Sequence, residues 1–193
     1  MLSAIVLAAG SSRRMENRNK LLLPYSGKTI LTHVLGNILS ADLGEIIVVT
    51  GYESSLVSAA IGDLPVRIVH NATHGEGMTG SIQTGIRSAA GNGYMICLGD
   101  MVQITPDEYR ILKNAFERQY DLDPQLICLP EYQGEKGNPV IFSDHYRQEI
   151  LQHQDPEGCK AIVRSHQQHI YKVKMPADHI LRDIDTVKDY EEL

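Results

Sequence analysis

Residues Ala4 to Pro24 read AIVLAAGSSRRMENRNKLLLP, and the rest of the chain is organised around them. The apolar run Ala4 to Leu7 is short enough for a strand buried in a parallel sheet, and it breaks into a loop of small residues and cations. At the carboxyl end of such a strand, backbone N–H groups point outward. Gly10, Ser11 and Ser12 leave them open to an anion. Arg13, Arg14, Arg18 and Lys20 follow, four cations within eight residues of a chain whose net charge is -6. Cations so crowded repel one another unless they are solvated or face an anion, so the stretch reads as a phosphate site or as a solvated basic loop. Two familiar phosphate loops do not fit. A dinucleotide fingerprint from Gly10 needs glycines where Ser12 and Met15 stand, and a Walker A loop ending at Ser26-Gly27-Lys28-Thr29 needs one at Leu22.

The 193 residues suffice for one sizeable core, and no linker or repeat divides them, so a single domain over 1–193 is expected. Net negative charge speaks against nonspecific nucleic-acid binding, and the scattered tyrosines form no stacking platform. Neither a signal-peptide pattern nor a run of about 20 apolar residues is present, which gives the expectation of a cytoplasmic protein without a membrane partner. Cys97, Cys128 and Cys159 lie about thirty residues apart; no CxxC pair forms, and Cys97 and Cys128 read as buried thiols. His166 with His169, and His70 with His74, have no third partner at metal-ligand spacing.

Downstream, helical periodicity over Ile30 to Ala41, the apolar run within Glu45 to Thr50, a helix over Ser54 to Ile61 and a strand over Val66 to His70 describe a βαβαβ unit. A helix over Thr79 to Ala90, a strand over Tyr94 to Leu98, a helix from Pro106 to Gln119 and a strand over Gln125 to Leu129 continue it. Beyond these, short elements are expected at Pro139 to Phe142, Tyr146 to Leu151, Lys160 to Ser165 and His169 to Val173. A last helix is capped by Thr186, with Asp189 in the capping-box position. The fold class is α/β: an open, doubly wound, mostly parallel sheet.

In such a sheet ligands sit outside the carboxyl ends of the strands. Asp100, in Leu98-Gly99-Asp100-Met101, is so placed, and a carboxylate there could hold Mg²⁺ or simply make a turn. Asp183 and Asp185 alternate along Asp183-Ile184-Asp185-Thr186 and would share one face of an extended segment, repelling each other without a cation. A helix cap is the plainer reading of the same residues. Glu76 to Gly85 carries small residues that let a flat ring approach the backbone.

LAAGSSRRM with Lys20 and LLLP resembles the N-terminal signature of the MobA-like NTP transferases. EGMTGSI, GDM, GNPVIF and DIDT follow in that family's order. Glu16 replaces a family glycine, one extra residue precedes Lys20, and Val102 and Val187 replace prolines. The resemblance implies the Rossmann-like nucleotide-diphospho-sugar transferase fold and transfer of a nucleotide from an NTP to a phosphorylated acceptor. It implies nucleotide contacts from Leu7, Ala8, Ala9, Gly10, Ser11, Ser12, Arg14, Lys20, Gly80 and Ser81, and catalysis by Arg14, Lys20 and Asp100. Mg²⁺ would sit on Asp100 with Asp185 first and Asp183 second, and the acceptor on Gly137, Asn138 and Lys160. GNPVIF, and EGCKA at 157–161, are similar to the molybdenum-cofactor branch, and Ala9 of LAAG goes in that branch with CTP more than GTP. The branch implies a CTP:molybdopterin cytidylyltransferase, with a recipient molybdoenzyme as a further partner. A sugar- or polyol-phosphate acceptor, or a non-catalytic carrier of a nucleotide-bearing molybdenum cofactor, are the rival readings.

Overall fold

A computed structural model describes residues 1–12, 14, 15 and 18–193. Its strands and helices, in chain order, are β1 (Leu2–Ala8), β2 (Pro24–Tyr25), β3 (Lys28–Thr29), α1 (Ile30–Ser40), β4 (Gly44–Thr50), α2 (Ser54–Ile61) and β5 (Arg67–His70). There follow α3 (Met78–Ser88), β6 (Gly93–Leu98), α4 (Pro106–Tyr120), β7 (Ile127–Tyr132), β8 (Glu135–Lys136), β9 (Val140–Ser143), α5 (Arg147–Gln152), α6 (Lys160–Ser165), β10 (Ile170–Lys174) and α7 (Val187–Glu191).

One sheet takes the order β10-β7-β9-β6-β1-β4-β5, with β8 added beside β7. β6, β1, β4 and β5 run parallel, as do β7 and β10. β9 enters antiparallel between β6 and β7. The sheet is therefore mostly parallel and open, as the alternation of apolar runs and amphipathic stretches predicts. The reversed course of β9, the short strand β8 and the β2–β3 hairpin were not read from the sequence. The reversed strand β9 is too short for a directional signal, and the β2–β3 hairpin turns at Ser26-Gly27, residues weighed above only as a phosphate loop.

Alternation along each strand sends side chains to two cores. Ala4, Val6, Ile46, Val48, Met95 and Cys97 pack with α1, α2 and α4 on one face; Ile5, Ile47, Val49, Tyr94 and Ile96 pack with α3, α5 and α6 on the other. Each fully buried Ile or Val contributes about 1.5–3 kcal/mol by leaving water. Gly85 lets α3 come down onto the sheet: a Cβ there would lie 2.3 Å from the Ile5 side chain. After β1 the chain moves outward through β4 to β5, then returns over the opposite face by α3 to β6, on the other side of β1. The β1/β6 junction is thus the switch point where open α/β sheets bind ligands. Gly10 and Asp100 both leave the sheet there. Among the described residues no helix is long and apolar enough to cross a membrane.

Candidate active site

The loop after β1 is folded by its own polar groups. Ser12 takes a left-handed backbone (φ 47°), and its carbonyl accepts the Met15 N–H at 2.9 Å. Its hydroxyl accepts the Lys20 N–H at 3.1 Å. Met15 is wholly buried, and the Asn19 side chain accepts the Leu21 N–H at 3.2 Å to cap the short 3-10 turn Lys20–Leu22. These contacts bring the Lys20 side chain to the strand ends. Its ammonium lies 2.5 Å from Asp100 Oδ2 and 3.2 Å from Asp185 Oδ1. Arg14 Nη2 lies 2.7 Å from Asp185 Oδ2. Arg13 and Glu16 fall outside the described residues.

Asp100 is 6% exposed, and its Oδ1 has no hydrogen-bond partner among the described residues. Burial pushes its carboxyl above the usual range; the Lys20 ammonium pulls part of that back, and Asp183 adds to the rise. For Lys20, burial works against the charge, but Asp100 and Asp185 outweigh it and hold the pKa above its ordinary value, so the ammonium persists at neutral pH. Asp100, Asp183 and Asp185 each place a carboxylate oxygen within 4.8 Å of the others. At an effective dielectric of about 20, each such pair repels by roughly 3 kcal/mol. Among the described residues, Lys20 and Arg14 pair with Asp100 and Asp185. An all-oxygen donor set with one buried, unpartnered oxygen suits a hard divalent cation, and these three residues could hold one.

Two cavities open at the carboxyl edge of the sheet. The first, about 420 Å³, is lined by Leu7, Ala9, Gly10, Ser11, Ser12, Lys20, Ser81 and Asp100 among others. Ser81 Oγ accepts from the buried Asn71 Nδ2 at 3.0 Å. Three residues of the expected nucleotide set do not line this cavity: Ala8, whose side chain is in the α1-side core; Gly80, one position from Ser81; and Arg14. Arg14, Asp183 and Asp185 border a separate hollow on the far side of the carboxylates. The second cavity, about 410 Å³, adjoins the first through Met78 and Leu98 and contains Gly137, Asn138 and Lys160. Strand β9 makes it. Running back from the carboxyl end of β6, with Val140 beside Ile96, it delivers the Gly137-Asn138 turn to that edge.

Buried Ile82, Ile96, Leu129 and Phe142 form the base of this second cavity, and exposed Lys136, Lys160 and Arg164 stand at its mouth. The start of α6 is held to α3: Met78 N donates to the Pro156 carbonyl at 3.0 Å, and Gly158 N donates to Thr79 Oγ1 at 3.0 Å. Burial, with Glu149 adding, pushes the Cys159 thiol up to about 12, so it stays protonated and is no nucleophile at neutral pH. The sequence gives no individual role to Met78 or Lys136, which stand within or beside the quoted motifs, and nothing in it points to Arg164. His74, read from the sequence as a solvated or core histidine rather than a metal ligand, lines the first cavity and meets Tyr52 edge-on. The glycine-rich entry to α3 was the one signal near His74 and Met78.

A model of the MobA-like NTP transferase domain matches residues 4–170, a span that includes Lys20, Asp100 and Lys160 and stops before Asp183. The chain belongs to that family. A nucleotidyl transferase from Methanothermobacter thermautotroptrophicus (Mth528) has a similar structure, with a TM-score of 0.86 and 25% identity over 100% of this chain and 95% of that one. Rv0371c from Mycobacterium tuberculosis H37Rv superposes with a TM-score of 0.83 and 26% identity over 99% and 96% of the two chains. The same protein in complex with manganese gives 0.76 and 25% over 100% and 97%. Among curated proteins, the bifunctional protein GlmU of Legionella pneumophila subsp. pneumophila is 27% identical over 180 residues, 89% of this chain and 33% of GlmU. The chain spans no more than about a third of the length of the GlmU proteins it matches. Membership of the family, and the fold shared with a nucleotidyl transferase, support an NTP-transferase activity.

Proposed function

We propose that residues 1–193 act as one domain, in the cytoplasm, as a Mg²⁺-dependent CTP:molybdopterin cytidylyltransferase. The observation that carries this reading is the pair of adjoining cavities, one lined by a cation-bearing loop and a buried aspartate, the other apolar at its base and cationic at its mouth. A sugar or polyol phosphate has hydroxyls that need polar partners, and the Ile82, Ile96, Leu129 and Phe142 base offers none of these from its side chains. A flat heterocycle bearing anionic groups suits it better. Ala9 on the wall of the first cavity narrows the space beside the base, which favours a pyrimidine.

In this reading a terminal phosphate oxygen of the acceptor attacks the α-phosphorus of CTP. The bond from that phosphorus to the β-phosphate bridging oxygen breaks, and pyrophosphate leaves. The attacking phosphate is already ionised at neutral pH, so alignment and charge neutralisation carry the rate. Lys20 and Arg14 hold the outer phosphates, giving up their carboxylate partners to do so. Leu7, Ala9, Gly10, Ser11, Ser12 and Ser81 line the nucleotide; Gly137, Asn138 and Lys160 meet the acceptor. Asp100, Asp185 and Asp183 would hold Mg²⁺, which supplies positive charge against the reacting phosphates. The manganese bound by Rv0371c, a relative of similar fold, supports a divalent metal in this family.

The test is pyrophosphate release from each NTP with Mg²⁺ and a panel of acceptors. CTP with molybdopterin should turn over fastest. Turnover with a sugar phosphate instead would replace the acceptor, and nucleotide binding without pyrophosphate from any acceptor would make the chain a carrier.

A further inference from the structure

The three clustered aspartates come from two segments far apart in sequence, and one buried carboxylate ties those segments together. Asp100 opens the loop that runs into α4, whose N-cap is Thr105 and whose third residue is Glu108. Asp183 and Asp185 lie in the strap that leads to α7, which begins with the 3-10 turn Asp178–Leu181. Glu108 Oε2 accepts from Thr105 N at 2.8 Å and Thr105 Oγ1 at 2.9 Å, both on the Asp100 side. It also accepts from His179 Nδ1 at 2.9 Å, on the Asp183 side.

We infer that Glu108 and His179 are positioning residues for the aspartate cluster, holding the strap that carries Asp183 and Asp185 in register with Asp100. This rests on the reading of the aspartates as divalent-metal ligands. A helix cap alone does not explain the arrangement. The capping boxes at Thr29–Thr32 and Thr186–Asp189 are made by half-buried side chains, whereas Glu108 is 2% exposed and its Oε1 has no partner among the described residues. Burying a carboxylate beyond what capping needs is costly, and the added contact it gains is His179. The strap's other anchors set its height over the sheet. Ile180 is wholly buried and its carbonyl accepts Asn138 N at 2.9 Å. Gly137 passes beneath so closely that a Cβ there would lie 2.2 Å from the same oxygen. Of the ties described, the Glu108–His179 contact is the one that joins the strap to the segment of Asp100. Its importance rises once substrate is bound, because Lys20 and Arg14 then leave Asp185 for the phosphates and cease to hold the strap.

The experiment titrates the full chain with Mn²⁺, reading free Mn²⁺ by electron paramagnetic resonance, without nucleotide and with CTP against a matched protein-free CTP control, for the wild type, His179→Leu and His179→Asn. Leucine removes the donor; the asparagine amide nitrogen can take up the place of Nδ1. Losing a hydrogen bond that orients a metal site costs about ten- to a hundredfold in affinity. We expect His179→Leu to weaken Mn²⁺ binding by about tenfold, His179→Asn to recover most of the loss, and CTP affinity without metal to stay the same in all three. Unchanged Mn²⁺ binding in His179→Leu, or equal losses in both variants, overturns the inference and leaves the metal reading standing. A wild type that binds no Mn²⁺ overturns both together.

Discussion

The two cavities that meet at Met78 and Leu98 are nearly equal in size, about 420 and 410 Å³, and they are built in opposite ways. The first is set by charge. Its Lys20 is placed by a loop hydroxyl and a cap, then held by carboxylates 80 and 165 positions away, so its geometry depends on ion pairs for which a bound phosphate would compete. The second is set by packing, from buried side chains of the sheet and α3 with cations only at its mouth. Substitutions in the first should therefore act on catalysis and binding while sparing the fold. In the second, graded effects are expected at the mouth and folding defects at the base.

The largest effect should follow Asp100→Ala. Turnover is expected to fall by at least about a hundredfold, the scale of losing one preorganised electrostatic contact to the reacting group. Because burial disfavours the ionised carboxylate, and Lys20 keeps Asp185, the melting temperature should be unchanged or higher. Near-normal rates at saturating Mg²⁺ would remove Asp100 from the mechanism and erase the contrast at its centre.

Lys20→Ala should weaken CTP by roughly ten- to a hundredfold, the range for losing a charge-assisted hydrogen bond of ~1.5–3 kcal/mol. CMP, which lacks the outer phosphates, should be little affected. Arg14→Ala should act in the same direction but less, since the Arg14 side chain is 68% exposed and screened. Calorimetry with both nucleotides decides the matter: equal losses for CTP and CMP would mean that these cations do something other than hold outer phosphates.

The contrast between the cavities also explains what was legible in the sequence. The strand β1, the helices α1 to α4 and the Thr186–Asp189 capping box follow from local periodicity and caps, which need no partner elsewhere in the chain. Asp100, Asp183 and Asp185 could be picked out because each follows a local rule, a strand end or an alternation. Their convergence within 4.8 Å is a tertiary fact. The motif names consecutive residues, whereas a strand exposes alternate ones, so the Ala8 side chain lies in the core while those of Leu7 and Ala9 line the cavity. Arg164 and Lys136 enter the second cavity only through the antiparallel course of β9 and the docking of α6 on α3, and neither has a sequence signature of its own.

A smaller effect tests base choice in the first cavity. CTP should be preferred over GTP by about tenfold, within the ~1–3 kcal/mol that pocket shape provides, and Ala9→Gly should reduce that preference by widening the wall. Competition of the two nucleotides for one bound fluorescent analogue measures it. Equal displacement of the analogue by CTP and GTP from the wild type would leave nucleotidyl transfer intact and remove the cytidylyl assignment.

The smallest effects should come from the mouth of the second cavity. Lys160 is 73% exposed and its nearest acid, Glu157, is 3.9 Å away, so it loses little on leaving that partner and gains little more on meeting an acceptor anion. Exposed charge pairs are worth about 0.2–1 kcal/mol, so Lys160→Ala or Arg164→Ala should raise the acceptor KM roughly two- to fivefold and leave the KM for CTP alone. Since the screening length shortens to about 3 Å at 1 M ionic strength, the difference between wild type and variant should shrink as salt is added. Steady-state kinetics at low and high salt, with acceptor and CTP varied separately, read both parts. A rise in the KM for CTP, or a loss that salt does not diminish, would mean that the two cavities are one site energetically. The division into a charged nucleotide side and a packed acceptor side would then be one of shape alone.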